Sequence, residues 1–293
     1  MLSLHTNASA LSAQNSVGST QNKLSTSMTR LSTGFRINSA MDDAAGLQIA
    51  TRLKAQTSGM AMAMRNTQNS ISMMQTAEGA FEEVTSILVR MKDLATQAAD
   101  ASSNADDKTA MQSEYDALGL ELTNIMANTS FGGAALFKEG GGTLEAGPIN
   151  FQIGASTAET MELDLSTAMG DLHTALGGTS ALYDGTGTVA AGPGTELTAA
   201  GSANTIIDTI SAAITEVGEV RSTLGATSNR LDHVYNNLSN ISTNTKAATG
   251  RIMDVDYAAE SSNMTTQQML TQAGTAMLKQ SNSMSGLVMS LLQ

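Results

Sequence analysis

From about Asp43 to Ala99 the chain has no proline, and from Met74 onward it repeats an apolar residue at every seventh position. Met74, Phe81, Leu88 and Ala95 form one row, and Ala77, Val84, Met91 and Ala98 follow three places after each. This a/d spacing is that of a coiled-coil seam. At the helical rise, about 55 residues make a rod of about 80 Å. A second seam runs from about Asn204 to Ala248. There Ile210, Val217, Leu224, Leu231 and Leu238 are joined by Ala213, Val220, Val234 and Ile241. An apolar stripe on a helix must be buried against another element, so these two stretches are expected to pack together.

Ser102-Ser103-Asn104 ends the first rod, and Ser103 with Asp106 has the spacing of a helix cap. Met111, Tyr115, Leu118, Leu122 and Ile125 then stripe a helix to about Asn128, expected to fold back as an antiparallel hairpin. From about Gly132 to Gly201 glycine is frequent, and both prolines, Pro148 and Pro193, fall here. Ile149, Phe151 and Ile153 alternate, as do Met161, Leu163 and Leu165, which reads as two short strands. Beyond Leu165 the pattern is weak, and the segment is expected to be a small exposed module or ordered loops.

Both chain ends carry thinner stripes. Leu24, Met28, Leu31 and Phe35 form a ladder that Gly34 and Asn38 interrupt. Ser39 followed by Asp42 has N-cap spacing, with Asp42 and Asp43 suited to the first turn of the next helix. At the far end Gly250 marks a break, Asp254 and Asp256 are candidate caps, and Leu270, Met277, Met284 and Leu291 recur with Ala273 and Leu287 between them. Neither end holds enough apolar surface to fold alone. The expectation is a mainly α protein: a long antiparallel coiled-coil-like helical bundle formed by both chain ends, with a small β and irregular central region. Its parts are 1–42 with 251–293, a terminal helical unit; 43–165 with 203–250, a bundle carrying a β-hairpin; and 166–202, a short variable exposed segment.

Composition narrows the function. A net charge of -12 with scattered lysines and arginines argues against nucleic acid. Charged residues are only 14%, so dense self-packing desolvates few ions. Cysteine is absent, which excludes disulfides, thiolate metal sites and a cysteine nucleophile. No apolar run is long enough to span a membrane, and no secretory leader is evident at the N-terminus. His5, His173 and His233 lie far apart without metal-ligand spacing. Neither a phosphate loop nor a GxSxG elbow occurs. No catalytic residue, cofactor or metal is expected.

The stretch LSTGFRINSAMDDAAGLQIA, from Leu31 to Ala50, resembles the N-terminal signature of bacterial flagellins, and GRIMDVDYAAESSNMTTQQMLTQAGTAMLKQSNSMSGLVMSLLQ resembles their C-terminal one. The similarity runs from about Leu4 to Phe137 and again from about Ala203 to Gln293. Met284-Ser285 stands where many flagellins carry proline, and His5 where many carry asparagine. The resemblance, which extends to the short lateral type, implies a structural subunit of an extracellular flagellar filament that serves motility. Such a subunit is exported unfolded through the flagellar channel, and its ends fold on assembly. Implied partners are further copies in a helical homo-polymer, the flagellar cap and hook-junction proteins, and an export chaperone at the C-terminal segment. Leu24, Met28, Leu31, Phe35, Leu270, Met277, Met284, Leu287 and Leu291 would form the filament-core seam. VRMKDLATQ is similar to the segment recognised by the vertebrate Toll-like receptor for flagellin, with Arg90, Leu94 and Gln97 matching there and Glu114 on the next helix. Lys92 and Asp93 replace the usual Arg and Glu, keeping charge without the guanidinium fork. A hook–filament junction protein, or another secreted coiled-coil binding protein, is the alternative.

Overall fold

The computed structural model describes residues 7–188 and 192–291, with residues 284–291 in backbone alone. Among the described residues the order is α1 (Ala8–Thr33), α2 (Ala44–Ala99), α3 (Ala105–Asn128), β1 (Ser130–Phe131), β2 (Ala134–Ala135), β3 (Ile149–Gln152), β4 (Thr160–Leu163), α4 (Ser166–Thr179), α5 (Ser202–Met253) and α6 (Tyr257–Leu291). The chain is mainly helical, as expected, and divides into two compact units. One comprises residues 58–242 and the other 1–57 with 243–293, so the divisions fall inside α2 and α5.

In the 58–242 unit the α2 seam is the core. All eight of its heptad residues from Met74 to Ala98 are fully buried. Facing them are Ile210, Ala213, Val217, Val220, Leu224 and Leu231 of α5, in one continuous apolar cluster. Arg221 of α5 reaches Glu78 of α2 with a two-pronged contact at 2.9 and 2.7 Å. Farther along, Met60 and Ala63 pack with Leu238. As α2 descends from 78 to 60, α5 ascends from 221 to 238, so the pair is antiparallel. Thr67 lies fully buried between the two apolar groups, its hydroxyl donating to the Ala63 carbonyl at 2.8 Å. Val234 is only half-buried and Ile241 is exposed, so the α5 seam thins toward its C-terminal end.

The α2–α3 hairpin forms, with its cap one residue later than the sequence suggests. Asn104 adopts extended backbone and accepts from the Asp107 amide at 2.8 Å, while Asp107 accepts from the Asn104 amide. Ser103 is engaged elsewhere, donating to the Gln97 carbonyl and closing the end of α2. On α3, Met111, Tyr115, Gly119, Leu122 and Met126 face inward, whereas Leu118 and Ile125 are half-buried.

The two expected strands pair as an antiparallel hairpin, Ile149 opposite Leu163 and Phe151 opposite Met161. The segment that follows differs from expectation. Residues 166–202, read as exposed, supply α4 and bury Met169, Leu172, Leu176, Leu182 and Leu197. Met169, Leu172 and Leu176 lie three and four apart on one helical face, which is why the segment packs inward. His173 is a satisfied core residue. A carbonyl only accepts, so the 2.8 Å contact with Phe137 places hydrogen on Nε2, and Nδ1 accepts from the Tyr183 hydroxyl at 2.6 Å. Burial, then the nearby Glu139 carboxylate, pushes the Tyr183 pKa upward. Tyr115 is likewise buried and donates to the Thr179 carbonyl at the end of α4.

Candidate assembly surface

The terminal unit is built on α1 and α6. Their connectors, 34–43 and 254–256, are joined by backbone. Gly34 takes the left-handed conformation (φ 76°) that ends α1, and its carbonyl accepts from the Val255 amide at 3.0 Å. The Arg36 amide donates to the Met253 carbonyl at 2.6 Å, which makes a single antiparallel bridge between Phe35 and Asp254. A side chain at Gly34 would also meet the Tyr257 hydroxyl.

Two expected caps move. Asp42 accepts from the Asn38 and Ser39 amides at 3.1 and 2.9 Å and thereby closes the connector turn. The residue that caps α2 is Asp43, which accepts from the Gly46 amide at 2.8 Å. The Asn38 and Ser39 amides, with Arg30 at 3.7 Å, hold the Asp42 carboxyl below the usual carboxylate range. Its contribution to folding is therefore full above the ordinary aspartate pKa and is lost as pH falls through the lowered one. At the other end Gly250 stays helical, and its missing side chain leaves room for the Asp254 carboxylate. The break falls at 254–256, where Asp256 accepts from the Ala258 and Ala259 amides.

The helices run antiparallel. Asn7 donates to the Ser281 carbonyl at 3.0 Å at one end, and Arg30 lies 3.9 Å from Glu260 at the other. Between them Val17 packs on Gly274, where an added Cβ would sit 2.6 Å from its methyl. The face of α6 turned to α1 is Glu260, Met264, Gln267, Thr271, Gly274, Leu278 and Ser281, all buried or half-buried. It is a seven-residue repeat that mixes small and polar side chains with the apolar Met264 and Leu278. On α1 Ser27 is buried, and Leu24 and Leu31 are half-buried.

The residues expected to form the filament-core seam are thus divided. Leu24 and Leu31 turn toward the helix pair, while Met28 and Phe35 are exposed. Leu270 and Met277 stand 51% and 66% exposed, one residue out of step with the inward repeat. Met284, Leu287 and Leu291 lie outside the described side chains. Within one chain the ends pair through a seam in which Val17, Leu24, Leu31, Met264 and Leu278 join small and polar residues, while Met28, Phe35, Leu270 and Met277 stay exposed. Sequence reasoning missed the inward repeat, whose signal was Gly274 at the point of closest approach.

Gly274→Leu tests that seam. Overpacking costs about 1–3 kcal/mol, against about 1 kcal/mol gained when glycine leaves a helix interior. We expect a net loss of up to about 2 kcal/mol on those scales, seen as faster amide exchange in 8–33 and 257–281. Unchanged exchange there would mean that Val17 and Gly274 do not set the helix separation.

In the 58–242 unit, Arg90 binds Glu114 through Nε and one terminal nitrogen at 2.9 and 2.6 Å, with both side chains about half exposed. Gln97 is exposed, but Leu94 is only 3% exposed and belongs to the core cluster. Among the described residues no three His, Cys, Asp or Glu side chains are grouped to hold a metal ion. No helix of the described residues is long and apolar enough to cross a membrane.

These features define a class: a helical protein whose two chain ends pair with each other and keep an apolar stripe facing out. Residues 4–140 match the family model described as bacterial flagellin N-terminal helical region, and residues 207–292 match the bacterial flagellin C-terminal helical region. The chain belongs to the bacterial flagellin family. It is 44% identical to polar flagellin F of Vibrio parahaemolyticus over 57% of this chain and 43% of that protein. Against flagellin E of Vibrio cholerae it is 45% identical over 56% of this chain and 42% of the relative. The match thus spans less than half the length of these curated relatives. Among solved structures, the Bacillus cereus flagellin is 31% identical and has a TM-score of 0.48, the match covering 63% of this chain and 94% of that one. A structure described as a flagellar hook-associated protein from Vibrio parahaemolyticus has a TM-score of 0.56 at 14% identity, covering 73% of this chain and all of that one. That likeness concerns the fold alone.

Proposed function

We propose that this protein is a structural, non-catalytic subunit of an extracellular bacterial flagellar filament. The observation that carries the reading is that Met28, Phe35, Leu270 and Met277 stay exposed outside an inward seam of mixed apolar, small and polar residues. A single chain leaves those side chains in water, and neighbouring copies in a helical polymer bury them, continuing through Met284, Leu287 and Leu291. Of 27 acidic residues in the chain, only Asp42, Asp43, Asp254, Asp256 and Glu260 fall in the terminal unit, so copies packed through it bring few carboxylates together. The thin seam also supports export unfolded, with the ends gaining most of their order on assembly. Head-to-tail contacts that do not close yield a filament in place of a ring.

The purified protein, offered short filament seeds in salt, should grow helical tubes visible by negative stain. Seeds that stay at their starting length would overturn the reading. A hook–filament junction protein shares the paired ends, and sedimentation separates the two because such a protein caps seeds without lengthening them.

The same reading supplies the finer partners: the flagellar cap, the hook-junction proteins and an export chaperone on the C-terminal segment. Recognition by the vertebrate Toll-like receptor rests on the exposed Arg90–Glu114 pair and Gln97. Arg90→Ala should lower receptor signalling several-fold with circular dichroism unchanged, and undiminished signalling would remove the assignment. Leu94, being buried, would report mainly on folding if truncated.

A further inference from the structure

The chain has neither cysteine nor tryptophan, so the thioethers of its 19 methionines are its principal targets for two-electron oxidants. Exposure divides them, though not strictly by unit: Met41 in the 34–43 connector is 97% exposed and Met62 of the 58–242 unit 50%. Met74, Met91, Met126 and Met169 are fully buried in the 58–242 unit. In the terminal unit Met28, Met269 and Met277 stand 49%, 58% and 66% exposed on α1 and α6. Leu270, beside Met269 and one heptad before Met277, is exposed with them.

We propose that Met28, Met269 and Met277 are oxidant-sensitive modification sites, and that hydrogen peroxide or an organic hydroperoxide, acting on them before assembly, excludes the chain from the polymer. The proposal rests on the reading that these exposed faces of α1 and α6 are buried by further copies. The sulfur lone pair attacks one peroxide oxygen, forming the S–O bond as the O–O bond breaks. The departing oxygen takes the proton of the transferred hydroxyl and leaves as water, or as an alcohol from an organic hydroperoxide. Sulfur loses two electrons and the peroxide gains them.

The product matters because of where it sits. A thioether is apolar and pliable and suits packing between helices. A sulfoxide carries a strong dipole and an acceptor oxygen, and burying it without a donor opposes association. The helix backbone has no amide free for it, since the amides of these residues lie in the interior of their helices. The buried methionines are shielded from the same reagent, so the fold of the 58–242 unit survives the treatment.

The test uses the full chain. Monomer is treated with dilute hydrogen peroxide, the sulfoxides are mapped by mass spectrometry, and elongation of untreated seeds is followed. Met28, Met269 and Met277 should oxidise at least tenfold faster than Met74 and Met91, and the critical concentration for growth should rise at least about tenfold. A triple variant, Met28→Leu with Met269→Leu and Met277→Leu, keeps apolar volume and should still elongate after treatment. Equal inhibition of the treated variant would overturn the proposal. A second readout needs no variant: in polymer grown before treatment, Met269 and Met277 should be protected, and equal oxidation in polymer and monomer would also overturn it. Untreated wild-type chain that fails to elongate would count against the filament reading itself, a result separable from both.

Discussion

A chain lacking residues 264–293 is expected to lose seeded filament growth entirely while keeping the helical circular dichroism of its 58–242 unit. Deletion of residues 1–30 should have the same effect. Each loss removes one of two helices that depend on each other. Without 264–293, α1 loses the surface made by Met264, Gln267, Thr271, Gly274, Leu278 and Ser281. What remains is a 26-residue helix whose only buried side chain, Ser27, is polar. A helix with so little apolar burial is marginal in water. The 58–242 unit needs neither end, because the α2, α3 and α5 seams bury one another. Each truncation should therefore leave a soluble, folded monomer that neither lengthens seeds nor blocks them. Normal filaments from either deletion would refute the role given to the chain ends, and loss of helical signal in 58–242 would show that the core is not self-sufficient.

Much of the fold was legible because the long seams obey one rule without competition. Between Met74 and Ala98 every heptad position is apolar and no proline intervenes, so a single inward face is available. The β-hairpin was legible for the same reason, since Phe151 and Met161 alternate with polar neighbours. Helix α4 escaped because Gly170, Gly177 and Gly178 lower its helical propensity, although Met169, Leu172 and Leu176 carried the correct spacing. Asn104 displaced Ser103 as a cap because Ser103 was already committed to the end of α2. The pairing of the two ends was harder to read, for a deeper reason. Helix α6 offers two heptad stripes one residue apart, an apolar one through Leu270 and Met277 and a mixed one in which Met264 and Leu278 alternate with Gln267, Thr271 and Gly274. The rule that apolar residues face inward selects the first. The chain uses the second, because Gly274 lets Val17 close against the helix backbone. A seam between copies and a seam within one copy carry the same periodicity, and only the packed structure separates them. Leu94 shows the converse: it reads as a surface residue by resemblance, yet the heptad partners around it draw it into the core.

The largest loss of stability from one substitution is expected at Phe81→Ala. Phe81 is fully buried, and its ring centroid lies 4.4 Å from that of Phe137 at a tilt of 44°. Phe137 follows the β1–β2 turn, so this contact joins the α2 seam to the segment that leads into the central region. His173 hydrogen-bonds the Phe137 carbonyl at 2.8 Å, which fixes the backbone at that point and limits how far it can collapse into a void. A cavity that cannot collapse retains its full cost, about 3–5 kcal/mol for removal of a phenyl ring. Against typical domain stabilities of about 5–15 kcal/mol, that is about a fifth or more of the total. For a unit of this size the melting temperature should fall by roughly 6–20 °C. Phe81→Leu, which keeps most of the apolar volume, should lose well under half as much. Urea unfolding of the two variants measures this directly, and a loss below about 1 kcal/mol for the alanine variant would mean that the segment around Phe137 moves in to fill the space. Because Phe81 lies outside the terminal unit, seeded growth of the alanine variant should persist at temperatures below its lowered melting point. That persistence would separate the demands of folding the central unit from those of joining the filament.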